Sequence, residues 1–241
     1  MTKMLYMDDI ESNYVKEFHA EVKKAGNDFV VLDRTVFYPE GGGQPSDTGR
    51  LIWDGNSSEV VKVEKKGDVI HRLKDDIPEE GTRVEGELNW EERFAHMKLH
   101  TAQHIFSAAV FERFGASTVG NQIYTEYSRV DFEPLDIGDK ELKMIEEEVN
   151  RVIEEGLSVK VYEEKRDVLE DKIEGERVNL DLLPDSIEVL RVIDIDGYDI
   201  CPCAGTHVRN TEEIGGIRIK GLENKGKKRQ RIYYELEDQR G

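Results

Sequence analysis

Cysteine is scarce in this chain: 2 residues among 241, Cys201 and Cys203, separated only by Pro202. So close a pair cannot staple a fold of this size, which excludes a disulfide framework and makes metal ligation the better use of at least one thiol. Long apolar runs are missing too, and no stretch reaches the ~18 residues that suggest a membrane span. Asp8, Asp9 and Glu11 stand where a secretory leader would need its apolar core, so a cytoplasmic location without membrane attachment is expected. Positive charge is in deficit, with 34 Lys and Arg against 52 Asp and Glu and a net charge of −18. That balance argues against broad, nonspecific nucleic-acid binding.

The deficit is uneven. From Asp139 to Glu188 there are 17 acidic and 8 basic side chains, a net of −9. From Arg218 to Arg231 the sign reverses: Arg218, Lys220, Lys225, Lys227, Lys228, Arg229 and Arg231 face only Glu223, a net of +6. Charge alone reads this segment as a solvated hairpin. Concentrating cations in one loop of an acidic chain also favours a local phosphate contact by Lys225, Lys227, Lys228, Arg229 and Arg231.

Hydrophobic periodicity divides the chain near residue 88. Phe29–Leu32, Thr35–Phe37, Val60–Val63, Val69–Leu73 and Thr82–Leu88 read as short strands. A turn at Lys65-Lys66-Gly67-Asp68 makes a hairpin of the third and fourth. Residues 1–88 are therefore expected to form a small antiparallel β-barrel. Asn89 is a candidate N-cap for a long helix, with Glu91 and Glu92 in its first turn and Gly115 at its end. Leu99, Ala102, Phe106, Ala109 and Val110 give that helix an apolar stripe, which predicts a half-buried element. A second helix is expected from about Asp139 to Glu155, buried through Leu142, Ile145, Val149 and Val152. Strands at Ser158–Tyr162, Ile187–Ile195, Ile217–Ile219 and Ile232–Tyr234 complete an α+β domain over residues 89–241 with an antiparallel sheet.

Two segments carry chemistry. His100-Thr101-Ala102-Gln103-His104 and Cys203-Ala204-Gly205-Thr206-His207 each place two metal-binding side chains four positions apart. On a helix that spacing puts both on one face. Three imidazoles and one thiolate make a tetrahedral set for Zn²⁺. Thr101 stands where a zinc peptidase would carry Glu, so that class starts badly. His96 and Cys201 lie near the pairs and compete as ligands. The Gly41-Gly42-Gly43 run lacks the Lys-Ser/Thr of a P-loop, so no nucleotide cofactor is expected.

The two motifs together resemble the editing domain of alanyl-tRNA synthetase and its free-standing AlaX-type relatives. Phe37-Tyr38-Pro39-Glu40-Gly41-Gly42-Gly43-Gln44-Pro45-Ser46-Asp47-Thr48-Gly49 resembles the Gly-rich segment of the longer AlaX forms. Arg129–Phe132 resembles the strand after the first metal helix, and Thr211–Gly215 the segment after the second pair. The resemblance covers nearly the whole chain. It implies one Zn²⁺ per chain held by His100, His104, Cys203 and His207, leaving His96 a buried polar neighbour and Cys201 a spare thiol. It further implies that Gly41, Gly42, Gly43 and Gln44 help place a tRNA acceptor end. A substrate-hydroxyl contact is expected among Thr118, Asn121 and Gln122.

The implied activity is deacylation of tRNA(Ala) carrying the wrong amino acid, serine first and glycine second. A pocket built for alanine discriminates against either by only about 1–3 kcal/mol, so a second site that hydrogen-bonds the serine hydroxyl is needed. Four protein ligands leave zinc no open position, which favours orientation of the aminoacyl group over activation of a bound water. With 241 residues there is no room for an aminoacylation domain beside the two expected here, so editing in trans is implied. Two rivals remain: a non-catalytic zinc-stabilised tRNA-binding module, and a zinc hydrolase of small esters or amides.

Overall fold

The computed structural model describes residues 1–173 and 187–237; Glu174, Glu176, Arg177, Asp181 and Asp185 of the acidic stretch lie outside them. The first strands are β1 (Lys3–Met4), β2 (Glu17–Ala25), β3 (Phe29–Leu32), β4 (Arg34–Thr35), β5 (Gly49–Trp53), β6 (Asn56–Lys66), β7 (Asp68–Leu73) and β8 (Arg83–Leu88). β1 pairs in parallel with β4. The other six close into an antiparallel barrel in the order β2-β3-β7-β6-β5-β8. The expected strand at Thr35–Phe37 survives only as the end of β4; Val36 and Phe37 lie outside any strand and are buried.

Alternation in the barrel strands is broken where the backbone bulges. In β6 the pairing shifts between Val60 and Lys62, so Val60 and Val63 both point inward although they are three apart, while Val61 faces solvent. The interior is filled by Phe18, Val22, Val30, Leu32, Leu51, Val60, Val63 and their neighbours.

The rest of the fold comprises α1 (Trp90–Phe114), β9 (Ser117–Ile123), β10 (Ser128–Glu133), α2 (Asp139–Glu154), β11 (Val159–Lys165), α3 (Arg166–Lys172), β12 (Val189–Ile195), β13 (Asp199–Pro202), β14 (Ile217–Asn224) and β15 (Gln230–Leu236). They form a four-stranded sheet, β14-β15-β10-β9, and a three-stranded sheet, β11-β12-β13. With the barrel they make the α+β architecture expected. Met97, Leu99, Ile105 and Phe106 of α1 and Ile145 and Val149 of α2 share one core with Val130, Ile232 and Tyr234 of the larger sheet.

Two helix expectations need correction. Asn89 occupies the N-cap position of α1, but its side chain makes no cap bond; the amide turns to Thr48 and Glu92 instead. α1 is also not half-buried: every residue from Leu99 to Phe106 is buried, His100, Thr101, Gln103 and His104 included. The apolar stripe meets α2 and the sheet. The polar side is covered by the Gly-rich segment and by residues 199–207, whose contacts a helical wheel does not show.

The barrel is joined to α1 by a buried ion pair. Arg93 Nη2 lies 2.8 Å from Asp47 Oδ2, with the two side chains 0% and 1% exposed. Arg93 also donates to the carbonyls of Val36 and Asn13. Burial raises the Asp47 carboxyl to about 6 against the opposing pull of Arg93. Removing either partner would strand a buried charge.

His71 provides a pH test of the barrel. It is fully buried on β7, 2.9 Å from Thr35 Oγ1 through Nε2. Burial pushes its pKa down from 6.5 to about 4. The unfolded chain therefore takes up a proton that the folded chain refuses, so stability is full above about 6.5 and is lost as pH falls toward about 4. Thermal melts of wild type and His71→Gln at pH 7.5 and 5 should show the wild type losing more, by up to about 2 kcal/mol. Any acid loss from the His/Cys cluster is common to both proteins and cancels in the difference.

Candidate metal centre

The two motifs meet. The ligand atoms of His100, His104, Cys203 and His207 all lie within 4.8 Å of one another. His100 Nε2 is 3.6 Å and His207 Nε2 3.4 Å from Cys203 Sγ. His100 and His104 come from successive turns of α1, whereas Cys203 and His207 lie on a loop between β13 and the 3₁₀ turn at Thr211–Ile214, so the second pair owes its approach to the loop and not to a helix. His96 and Cys201 stay outside the four-donor cluster. His96 Nε2 is 3.3 Å from Thr125 Oγ1, and Cys201 Sγ is directed at the carbonyl of Pro202.

The second layer decides what the imidazoles can do. His100 Nδ1 is 2.8 Å from Gln44 Oε1, His104 Nδ1 is 2.8 Å from Asp199 Oδ2, and His207 Nδ1 is 3.2 Å from Thr101 Oγ1. Gln44 Nε2 donates to Thr206 Oγ1, and Thr206 N donates to Gln44 Oε1, which fixes that oxygen as the acceptor facing His100. Thr101 spends its hydroxyl proton on the Met97 carbonyl, so toward His207 it can only accept. Each ring therefore donates from Nδ1 and directs Nε2 at the centre, the orientation a metal requires.

Cys203 completes the donor set. Burial opposes its ionisation, but the surrounding imidazoles of His100, His104 and His207 outweigh this and hold the thiol well below its usual range. The Gly205 amide also points at Sγ, at 3.4 Å. Burial pushes His207 well below its usual range, whereas at His104 burial is outweighed by hydrogen bonds with Cys201 and Cys203, which raise it to about 10. Three imidazoles with fixed Nδ1 contacts and a thiolate suit a borderline-soft divalent ion, whose binding would displace any proton from the inward nitrogens.

Neighbouring backbone shapes the cluster. A Cβ on Gly205 would overlap the His100 ring, so this position of the second motif has to be glycine. Arg191 Nη1 donates to the carbonyls of Cys203 and Gly205, at 2.7 and 2.9 Å. The His207 amide donates to Asn13 Oδ1 from the N-terminal segment. Gln44, Asp199, Thr101, Arg191 and Asn13 were not identified from sequence in these roles. Thr101 inside the first motif and Gly205 inside the second were the only local hints.

The expected substrate-side residues are also placed. The Gly41–Gln44 turn is closed by mutual backbone bonds between its ends, with Gly42 and Gly43 at positive φ of 56° and 83°. Its carbonyls, more than its amides, meet the protein. Gly42 O accepts from Asn121 Nδ2, and Gly43 O accepts from Ile123 N and Gln122 Nε2. Gln44 is fully buried and holds His100 and Thr206, which makes it a positioning residue. On β9 a bulge at Val119 turns Thr118 and Asn121 to the same side. There Thr118 donates to Ser107 and Asn121 to Gln103, both on α1. Gln122 faces away, and its amide donates to the carbonyls of Gly43 and Ile123. A cleft of about 200 Å³ opens over His100 and Cys203, with Tyr38, Pro39, Gly42 and Gly205 in its wall. A larger hollow of about 450 Å³ beside Arg113, Glu148 and Tyr198 is lined by none of the four donors.

The cations of the β14–β15 hairpin are less free than their sequence balance suggests. Lys225 pairs with Glu223 at 2.8 Å, Arg229 with Glu133 at 2.7 Å and Arg231 with Asp131 at 2.6 Å. Two of these acids come from β10, outside the counted segment. Lys227 and Lys228 are exposed and form no ion pair among the described residues.

Comparison with known proteins gives the family. Residues 3–92 match the family model described as tRNA synthetases class II (A), and residues 190–233 that described as threonyl and alanyl tRNA synthetase second additional domain. The chain is 41% identical to alanyl-tRNA editing protein AlaX-M of Methanosarcina barkeri (strain Fusaro / DSM 804), across 99% of this chain and 100% of that protein. It belongs to the family of alanyl-tRNA editing proteins. It is also 35% identical to AlaX-L of Pyrococcus horikoshii, across 97% of this chain and 58% of that one. Alanine--tRNA ligase of Pyrococcus furiosus matches at 38% across 90% of this chain and 24% of the ligase. No helix among the described residues is long and apolar enough to cross a membrane.

If Gln44 sets the His100 tautomer, Gln44→Ala should lower the affinity of the cluster for a divalent metal ion by roughly 10–100-fold with the fold retained. Competition against a chelator of known affinity, alongside far-UV circular dichroism, measures both. Gly205→Ala, which pushes the ring itself, should lower affinity at least as far.

Proposed function

We propose that this chain deacylates tRNA(Ala) carrying the wrong amino acid, serine foremost and glycine second, with one Zn²⁺ held by His100, His104, Cys203 and His207. The observation that carries the reading is the convergence of those four donors, each imidazole with Nδ1 engaged from outside and Nε2 directed inward, beneath a cleft in a member of an alanyl-tRNA editing family. Bound zinc would supply positive charge that orients the aminoacyl group.

The chain's own residues do the remaining work. The positive-φ turn at Gly42 and Gly43 presents amide hydrogens that no protein acceptor takes among the described residues, a concavity suited to a carbonyl or phosphate oxygen. Asn121 anchors its amide nitrogen to Gly42 and Gln103 and leaves Oδ1 without a protein partner among the described residues, so it can accept a hydrogen bond from a serine hydroxyl. Alanine offers no such donor, and an acceptor left dry disfavours it. Thr118 and Ser107, already bonded to each other, extend the same polar strip. In this reading residues 1–88 position the acceptor end through the Gly-rich turn, and residues 89–241 carry the chemistry. The exposed Lys227 and Lys228, with the paired Lys225, Arg229 and Arg231, meet tRNA phosphates.

Purified protein incubated with seryl-, glycyl- and alanyl-tRNA(Ala) should hydrolyse the seryl ester fastest and spare the alanyl ester. His100→Ala/His104→Ala should lose on the order of 10²-fold or more, the scale of several kcal/mol that a working metal supplies. Binding without hydrolysis would support the non-catalytic module. Hydrolysis of small esters at comparable rates would support the small-molecule hydrolase.

The hairpin gives a separate readout. Neutralising Lys227 and Lys228 should weaken tRNA binding and lower the log–log salt slope by roughly 0.7–0.9 for each phosphate that a lysine had neutralised. Neutralising Arg231, whose charge Asp131 already answers, should change the slope less. Equal slopes for all variants would make the hairpin a solvated turn.

A further inference from the structure

Among the described residues, the outer face of the β14-β15-β10-β9 sheet contributes none of the four donors and has no element packed on it, yet it carries a row of rings. The register puts Tyr233 opposite Arg129 and Gly221, while its neighbours Ile232 and Tyr234 turn into the core. Tyr127, just before β10, lies with its ring centre 6.3 Å from Tyr233 and 4.7 Å from Tyr124. Tyr124 is 40% exposed. Lys220 Nζ stands 6.0 Å over the Tyr127 ring. The same face carries Arg129, Arg218, Lys220 and Arg231, answered by Asp131, shared by two of them, and by Glu235, shared by the other two. Glu223 accepts from the Tyr233 hydroxyl at 2.8 Å and is paired with Lys225; with that pair and Glu126 on the adjoining turn included, the face carries five cations and four acids, in a chain whose net charge is −18.

We propose that Tyr124, Tyr127 and Tyr233, with Arg129 and Lys220, form a stacking platform for the unpaired 3′ end of the tRNA. This rests on the deacylase reading above and extends it to how the strand is held. Unpaired bases offer free π-faces, and aromatic rings interleaved with cations take such strands with little regard to sequence; a duplex keeps its bases stacked on each other. Apolar cross-strand packing would not need the outermost ring exposed or cations beside the row. The platform begins beside the Gly-rich turn whose Gly41 and Gly42 wall the cleft. Tyr124 follows Ile123, whose amide is bonded to Gly43 at 2.7 Å. Thr125 meets His96, one helical turn before His100.

The test compares binding of intact tRNA(Ala) with the same tRNA lacking its unpaired 3′ nucleotides. Wild type should bind the intact form about tenfold or more tighter, within the range that base–aromatic stacking supplies. Tyr124→Leu/Tyr127→Leu, which keeps apolar bulk without a π-face, should bind both forms alike, and Tyr124→Phe/Tyr127→Phe should match wild type. Melting temperature and metal content check the fold; should the double leucine variant fail to fold, Tyr124→Ser at the exposed ring should still cut the ratio severalfold. A wild-type ratio in the leucine or serine variants, or a wild type indifferent to truncation, overturns the platform. A dimer dispersed by the double variant with RNA binding unchanged would give the face to a second copy and equally overturn it. Seryl-tRNA hydrolysis is scored separately: its absence beside a tyrosine-dependent ratio sinks the deacylase reading and leaves the platform standing.

Discussion

The hydrogen bond from His100 Nδ1 to Gln44 Oε1 is the contact on which the centre depends. It joins the Gly-rich segment to the metal helix and fixes which nitrogen of His100 faces inward. Gln44 is held by Thr206 at both ends of its amide, and Thr206 precedes His207. One side chain thus ties together three segments distant in sequence. Asp199 and Thr101 do for His104 and His207 what Gln44 does for His100. Buried imidazoles turned the wrong way would offer an N–H to the centre, so these acceptors matter as much as the donors.

That arrangement requires a polar seam inside a hydrophobic fold. Arg93 and Asp47 lie fully buried at the barrel–helix junction, and Asn13 reaches His207 from the first residues of the chain. Burying such groups is costly unless every one is paired, and once paired they admit few alternative packings. The seam holds the Gly-rich turn against β9 and sets the wall of the cleft beside His100 and Cys203. The barrel and the α+β part are therefore coupled through the site itself.

Charge on the surface is organised differently from charge along the chain. The segment from Arg218 to Arg231 is strongly basic in sequence, yet Asp131, Glu133 and Glu235 answer much of it across neighbouring strands. What remains is a modest positive face carrying tyrosines and two free lysines at a loop. A modest local field suits a chain whose overall charge repels nucleic acid and that must release what it binds.

By itself the sequence determined the α+β class, the barrel strands with β-branched alternation and the two long helices, because period is a local property of the chain. Spacing proposed the two donor pairs but left His96, also four residues from His100, and Cys201 in competition; the family resemblance favoured His100, His104, Cys203 and His207, and these four converge in the fold. Tertiary structure alone decided the rest. The burial of α1 on its polar side depends on segments far away along the chain, at Gly42–Gln44 and at Asp199–His207. The bulges at Val61 and Val119 shift side chains in ways no alternation predicts. Gln44 turned from an expected substrate contact into a ligand-positioning group because Thr206 and His100 converge on it from opposite directions. Cys203 and His207 reached the metal face from a loop, where spacing carries no fixed geometry. Hydrogen-bond partners across long separations leave no periodic trace, which is why the layer behind the ligands became legible only in the folded chain.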